Sequence, residues 1–155
     1  ARSTCCAILT SRMTTPKHGH SGPQTRILLR GKAPSGMACP MLRGEIWQVD
    51  LDPARGSEAN KRRPAVIVSN DRANAAATRL GRGVVTVVPV TSNVDTIYPF
   101  QVLLSAATSG LDVDSKAQAE QVRSVATQRL LRRLGQVSPT ELSTLDDALR
   151  LHLAL

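Results

Sequence analysis

The chain has 155 residues, 41% hydrophobic and 21% charged, with a net charge of +8. That is one ordinary domain with enough apolar material for a core, and it excludes global disorder. No run approaches the roughly 18 apolar residues of a membrane-crossing helix. The only aromatics, Trp47, Tyr98 and Phe100, are too few for a base-stacking platform.

Residues 1–40 hold six basic groups (Arg2, Arg12, Lys17, Arg26, Arg30 and Lys32), no Asp or Glu, and all three cysteines. Their Gly, Pro and Ser/Thr content and lack of periodicity predict a disordered basic extension. We expect it to be an engineered scar or translated upstream sequence, with the natural start near Met41 or Met37. The body from Met41 carries 14 basic and 12 acidic residues, no cysteine, and a single histidine, His152. Such a body has no zinc cluster, thiol nucleophile or disulfide framework. Its chemistry must run on Arg, Ser/Thr and carboxylates, and no metal or cofactor is expected.

From Met41 the elements follow in order. Residues 44–51 alternate, with Ile46, Gln48 and Asp50 on one face and Trp47, Val49 and Leu51 on the other, and predict a strand. A polar loop runs over 52–62. Residues 64–69 are apolar throughout and predict a buried strand. Asn70 caps a short Ala-rich helix over 71–78. A third strand covers 84–90, and a fourth covers 100–104 before a turn at Ser109-Gly110. Weak alternation over 116–126 predicts a fifth strand with Glu120 and Val122 opposed to Gln121 and Arg123. Residues 131–137 predict a sixth. Ser138-Pro139-Thr140-Glu141 forms a capping box with Pro at the first helical position. Leu142, Leu145, Leu149 and Leu153 then make one apolar helical face. The sum is a small, mainly antiparallel β barrel with a short helix and a closing C-terminal helix.

Three clusters stand out. Lys61-Arg62-Arg63 precedes Pro64, which biases Arg63 toward extended backbone. An Arg held there presents a planar fork to a phosphate, although a solvated loop charge run has the same composition. Thr91-Ser92 closes the third strand with two hydroxyls able to donate to an oxyanion, or simply a turn. Glu120 and Arg123 supply a general base or half of an ion pair. Arg55, Lys61, Arg62, Arg63, Arg72, Arg79 and Arg82 crowd one stretch of sequence, a bias that suits a polyanion.

The order of motifs is G-E-I-W, then R-P-A-V-I-V-S-N-D, then V-P-V-T-S, then E-Q-V-R-S-V. This set resembles the MazF/PemK family of toxin endoribonucleases over residues 41–155, and the Arg-over-Lys bias is similar to that of mycobacterial members. The resemblance implies a small SH3-like barrel and a bacterial, cytoplasmic toxin of a type II toxin-antitoxin system. It implies a homodimer that cuts single-stranded RNA at short sequences without metal. A cognate antitoxin with an acidic, disordered segment would hold it inactive. The RNA 2′-hydroxyl would attack the adjacent phosphorus, leaving a 2′,3′-cyclic phosphate and a 5′-hydroxyl.

By the same resemblance Arg63 and Thr91 are the catalytic pair at the scissile phosphate, with Ser92 as helper. Glu120 is the expected general base and Glu58 its rival. Lys61, Arg62, Asn93, Asp95, Tyr98, Gln121 and Arg123 are expected along the RNA, with Tyr98 or Phe100 as a stacking surface. Two other functions use this type of fold: a CcdB-like toxin that binds DNA gyrase, and a nucleic-acid-binding barrel without cleavage.

Overall fold

The structure, a computed structural model, describes residues 41–155. The extension expected over 1–40 lies outside the described residues. Strands β1 (Glu45–Asp50), β2 (Arg62–Ile67), β3 (Val84–Thr91), β4 (Gln101–Leu104), β5 (Ser115–Gln118), β6 (Arg123–Ala126) and β7 (Leu130–Gln136) form one antiparallel seven-stranded sheet. Helix α1 (Asp71–Leu80) joins β2 to β3, the single-turn α2 (Ala106–Ser109) follows β4, and α3 (Pro139–Leu153) ends the chain. The mainly β fold with a short internal helix and a terminal helix is the one expected.

Strand β3 is the hub. One edge pairs with β2, setting Ala65 against Pro89. The other edge pairs first with β6, Val84 to Val87 against Ala126 to Arg123, and then with β5, Val90 and Thr91 against Ala117 and Lys116. Both faces are covered, which explains the unbroken apolar runs over 64–68 and 87–90. Val66, Val68, Val88 and Val90 share a cluster with Leu145 and Ala148 of α3. Ala65, Ile67, Val85 and Val87 share the other with Ala77 of α1, Val49 and the flanking Trp47.

The helices are fixed by local chemistry. The Asn70 side chain accepts from the Ala73 N–H and caps α1. Asn74, fully buried, accepts from Ser69 Oγ at 2.6 Å and donates to the Ser69 carbonyl at 3.0 Å. Ser69 Oγ in turn accepts from the Thr86 N–H, so one buried polar latch joins α1, the end of β2 and β3. At α3 the capping box is present in both directions.

Three expectations need correction. The fifth strand over 116–126 is two strands, β5 and β6, separated by a 3-10 turn at Ala119–Gln121. The break faces Val88-Pro89, where Pro offers no N–H to a ladder. Glu120 and Gln121 therefore do not obey strand alternation. Second, the turn at Ser109-Gly110 is the C-terminus of α2, capped by Ser105 and ended by Gly110 at φ +78. Third, Leu153 leaves the apolar face of α3: it is 49% exposed, and Ala148 is the buried residue instead. The helix outruns the core beneath it.

Candidate active site

The polar loop between β1 and β2 is folded back on the sheet. The Lys61 N–H donates to Asp52 Oδ1 at 2.8 Å and the Leu51 N–H to the Lys61 carbonyl at 3.0 Å. Gln121 accepts from the Ala59 N–H and donates to the Ser57 carbonyl, both at 3.2 Å. Arg123 Nη1 donates to the Ala59 carbonyl at 3.2 Å. A loop tied at so many points delivers Arg63 to β2 with a fixed backbone.

Arg63 is half-buried. Continuing the β2–β3 register from Ala65 and Pro89 sets it across from Thr91, the last residue of β3. Residues directly opposite in a sheet share a face. Thr91 is half-buried and its Oγ1 accepts from the Asn93 N–H at 3.3 Å.

Two open clefts meet at this pair. One, of about 490 Å³, is lined by Arg63, Thr91, Ser92, Gln48, Arg132 and Arg133 among others. The other, of about 530 Å³, is lined by Arg63, Thr91, Glu58, Asn93, Asp95, Lys116 and Gln121 among others. Arg63 and Thr91 are the residues common to both. A guanidinium and a hydroxyl on the shared wall of two grooves are suited to hold one phosphate of a chain that continues on both sides.

The sequence-predicted residues divide accordingly. Arg63, Thr91, Ser92, Asn93, Asp95 and Gln121 are brought together, and Glu58 joins them. Glu120 is not among the residues lining either cleft. Its Oε1 accepts from Gln101 Nε2 and, at 3.5 Å, from Gln118 Nε2, and its Oε2 is buried without a partner. Arg123 acts on the loop rather than on the cleft wall. Lys61 and Arg62 are exposed at the start of β2 and line neither cleft, with Arg62 3.6 Å from Asp50. Tyr98 stacks on Phe100 with ring centroids 5.6 Å apart, and neither ring lines a cleft.

Among the lining residues that sequence reasoning missed are Gln48, Arg132, Arg133 and Lys116. An adjacent Arg pair within a strand was a usable signal for Arg132 and Arg133. Arg133 Nε donates to the buried Glu45 at 2.7 Å. Among the described residues Arg132 has no carboxylate within ion-pair distance, and with Arg63, Arg132 and Arg133 against Asp112 the lining of the first cleft is net basic.

Known proteins share this sequence pattern and fold. The chain is 76% identical over 115 residues to endoribonuclease MazF9 of Mycobacterium tuberculosis (strain ATCC 25618 / H37Rv), covering 74% of this chain and 98% of that protein. A crystal structure of MazF from Deinococcus radiodurans superposes with a TM-score of 0.62 at 26% identity, covering 74% of this chain and 97% of that one. An endoribonuclease from a mycobacterial species, solved in complex with its cognate antitoxin, shares the fold with a TM-score of 0.58 at 24% identity, covering 74% and 96%. No helix among the described residues is long and apolar enough to cross a membrane. Residues 42–153 match the PemK-like, MazF-like toxins of type II toxin-antitoxin systems, and the chain belongs to that family.

Proposed function

We propose that this toxin is a sequence-specific, metal-independent endoribonuclease that acts in the bacterial cytoplasm and cuts single-stranded RNA at the Arg63–Thr91 pair. The observation that carries the reading is the shared wall: a strand threaded through both clefts has one phosphodiester against these two side chains.

In the reaction the 2′-oxygen attacks the neighbouring phosphorus while the bond to the 5′-oxygen breaks. The products are a 2′,3′-cyclic phosphate and a 5′-hydroxyl. Arg63 neutralises the non-bridging oxygens and hydrogen-bonds the leaving oxygen, which takes its proton from solvent water in the open cleft. Thr91 donates its hydroxyl to the same phosphate, and Ser92 assists from the first cleft. These groups act on charge that grows in the transition state. The 2′-hydroxyl proton goes to a carboxylate. Glu58 takes that role in place of Glu120, because it lines a cleft with Arg63 and Thr91 whereas Glu120 is engaged by Gln101. Asn93 and Asp95 contact bases in the second cleft.

Two partners complete the reading. An antitoxin with an acidic, disordered segment competes for the basic first cleft. A second copy covers the exposed end of α3, where Leu151, Leu153 and Leu155 are exposed and His152 lies 6.2 Å from Phe100, which stacks on the exposed Tyr98; exposed apolar groups of this kind mark interfaces.

The test is incubation of the protein in EDTA with a long single-stranded RNA, beside Arg63→Ala and Thr91→Ala, followed by sequencing of the ends. Discrete cuts with 2′,3′-cyclic phosphates are expected, reduced about 10²- to 10³-fold in each variant. Cutting that needs added metal, or is equal in all three proteins, would refute the mechanism.

A further inference from the structure

Lys116 is an unusual lysine. It sits on β5, is 7% exposed, and pairs in register with Thr91 on β3. Arg63, Thr91 and Lys116 therefore stand in one row across three adjacent strands and share a face of the sheet. Its ammonium donates to the Thr96 carbonyl. Among the described residues no carboxylate lies within ion-pair distance of it. Burying an ammonium against a single carbonyl leaves most of its lost hydration uncompensated. Such a cation is a standing offer to an anion, and the second cleft, which it lines, is the place from which an anion can reach it.

We infer that Lys116 holds a phosphate of the bound RNA next to the scissile one, on the Asn93 side of the Arg63–Thr91 pair. It is the neighbouring phosphate and not the reacting one because Lys116 lines only the second cleft, whereas Arg63 and Thr91 line both. The same ammonium, through Thr96, ties down the loop that carries Asn93 and Asp95. Filling the phosphate position thus also fixes the residues that contact bases. Lys116 is a positioning residue, and the inference rests on the RNA-cleavage reading above.

The experiment is a substrate scan. Oligoribonucleotides spanning the mapped cut carry one uncharged methylphosphonate at each flanking position in turn, and kcat/KM is measured for wild type, Lys116→Met and Lys116→Arg. Wild type should lose roughly 10- to 100-fold at one flanking position. Lys116→Met should show that loss already on unmodified RNA and no further loss at that position, and Lys116→Arg should keep the wild-type pattern. A residue that only braced the loop would lower activity without erasing sensitivity at one phosphate, and that result overturns the inference. So does a wild-type scan with no sensitive flanking position, which needs no folded variant. Should wild type cut no RNA, the cleavage reading fails separately. Lys116 is then read by binding alone: in an Arg63→Ala background, Lys116→Met should flatten the slope of log affinity against log salt by about 0.7, and an unchanged slope refutes the contact.

Discussion

Asn60 holds the guanidinium of Arg63 at two points, accepting from Nε with its carbonyl at 2.7 Å and from Nη2 with Oδ1 at 3.1 Å. Both bonds lie along one edge of the fork, so the remaining N–H groups stay available to an oxyanion. The device is local, three residues back along the chain, and it works because the Asp52–Lys61 closure and the Gln121 and Arg123 bonds fix the backbone of Asn60 and its neighbours. A long side chain that would otherwise sample many rotamers is pre-ordered before substrate arrives.

Asn60→Ala tests this ordering. The carbonyl bond survives and the Oδ1 bond is lost. We expect kcat on RNA to fall about tenfold, the equivalent of one such hydrogen bond, with KM little changed and thermal stability altered by less than about 1 kcal/mol. Unchanged kcat would mean the second bond does nothing for the guanidinium.

Glu141 makes a prediction about pH. Burial by itself raises its carboxyl pKa, but hydrogen bonds from the Ser138 and Ser105 N–H groups, with smaller ones from the Ser138 and Thr108 side chains, outweigh it and leave the pKa below the ordinary 4.5. A folded-state pKa below the unfolded one stabilises the fold above the unfolded value, and that stability is lost as pH falls through the folded value. One oxygen takes the Ser138 N–H at 2.7 Å and the other takes the Ser105 N–H at 3.0 Å, joining α3 to the start of α2. Glu141→Gln keeps one acceptor and turns a donor on the other N–H. It should cost about 1 kcal/mol at pH 7, and the gap should close as pH drops below the ordinary carboxylate range. Denaturant melts of both proteins at pH 7 and pH 3 decide it, and a gap independent of pH would show that the charge is irrelevant.

Features written in short stretches of chain were readable in the sequence, and features set by distant pairing were not. The α3 capping box and the Asn70 cap need only three or four consecutive residues, so both were visible. The apolar run that follows Arg63 already implied a buried strand. The split between β5 and β6 depends on Pro89, some thirty residues earlier in the sequence, so the pattern over 116–126 gave no sign of it. That error placed Glu120 on a strand face, whereas the 3-10 turn aims it at Gln101. Lys116 was passed over for the same reason. A lysine in a weakly alternating stretch reads as solvated until its pairing with Thr91 is known. Helix α2 is a single turn, too short for periodicity to register.

Gly135 supplies the last prediction. Its backbone lies outside the left-handed region, so conformation does not require glycine there. Space does: a Cβ would stand 1.8 Å from the Ser109 carbonyl oxygen and 3.1 Å from Gly110 Cα. Those atoms are the end of α2, backbone that cannot rotate aside. Gly135→Ala must therefore push α2 off β7, and overpacking of this kind costs about 2–3 kcal/mol. Gly56→Ala is the control, because it has φ +57 and nothing within 4 Å. It should cost only the backbone strain of a left-handed alanine, about 1 kcal/mol. Gly110 and Leu134 also line the first cleft with Arg132 and Arg133, so the displacement reaches substrate. RNA cleavage by folded Gly135→Ala should fall, while that of Gly56→Ala should fall less. Equal stability losses from urea melts of the two variants would mean the approach of α2 to β7 is looser than described, and crowding would no longer explain the glycine.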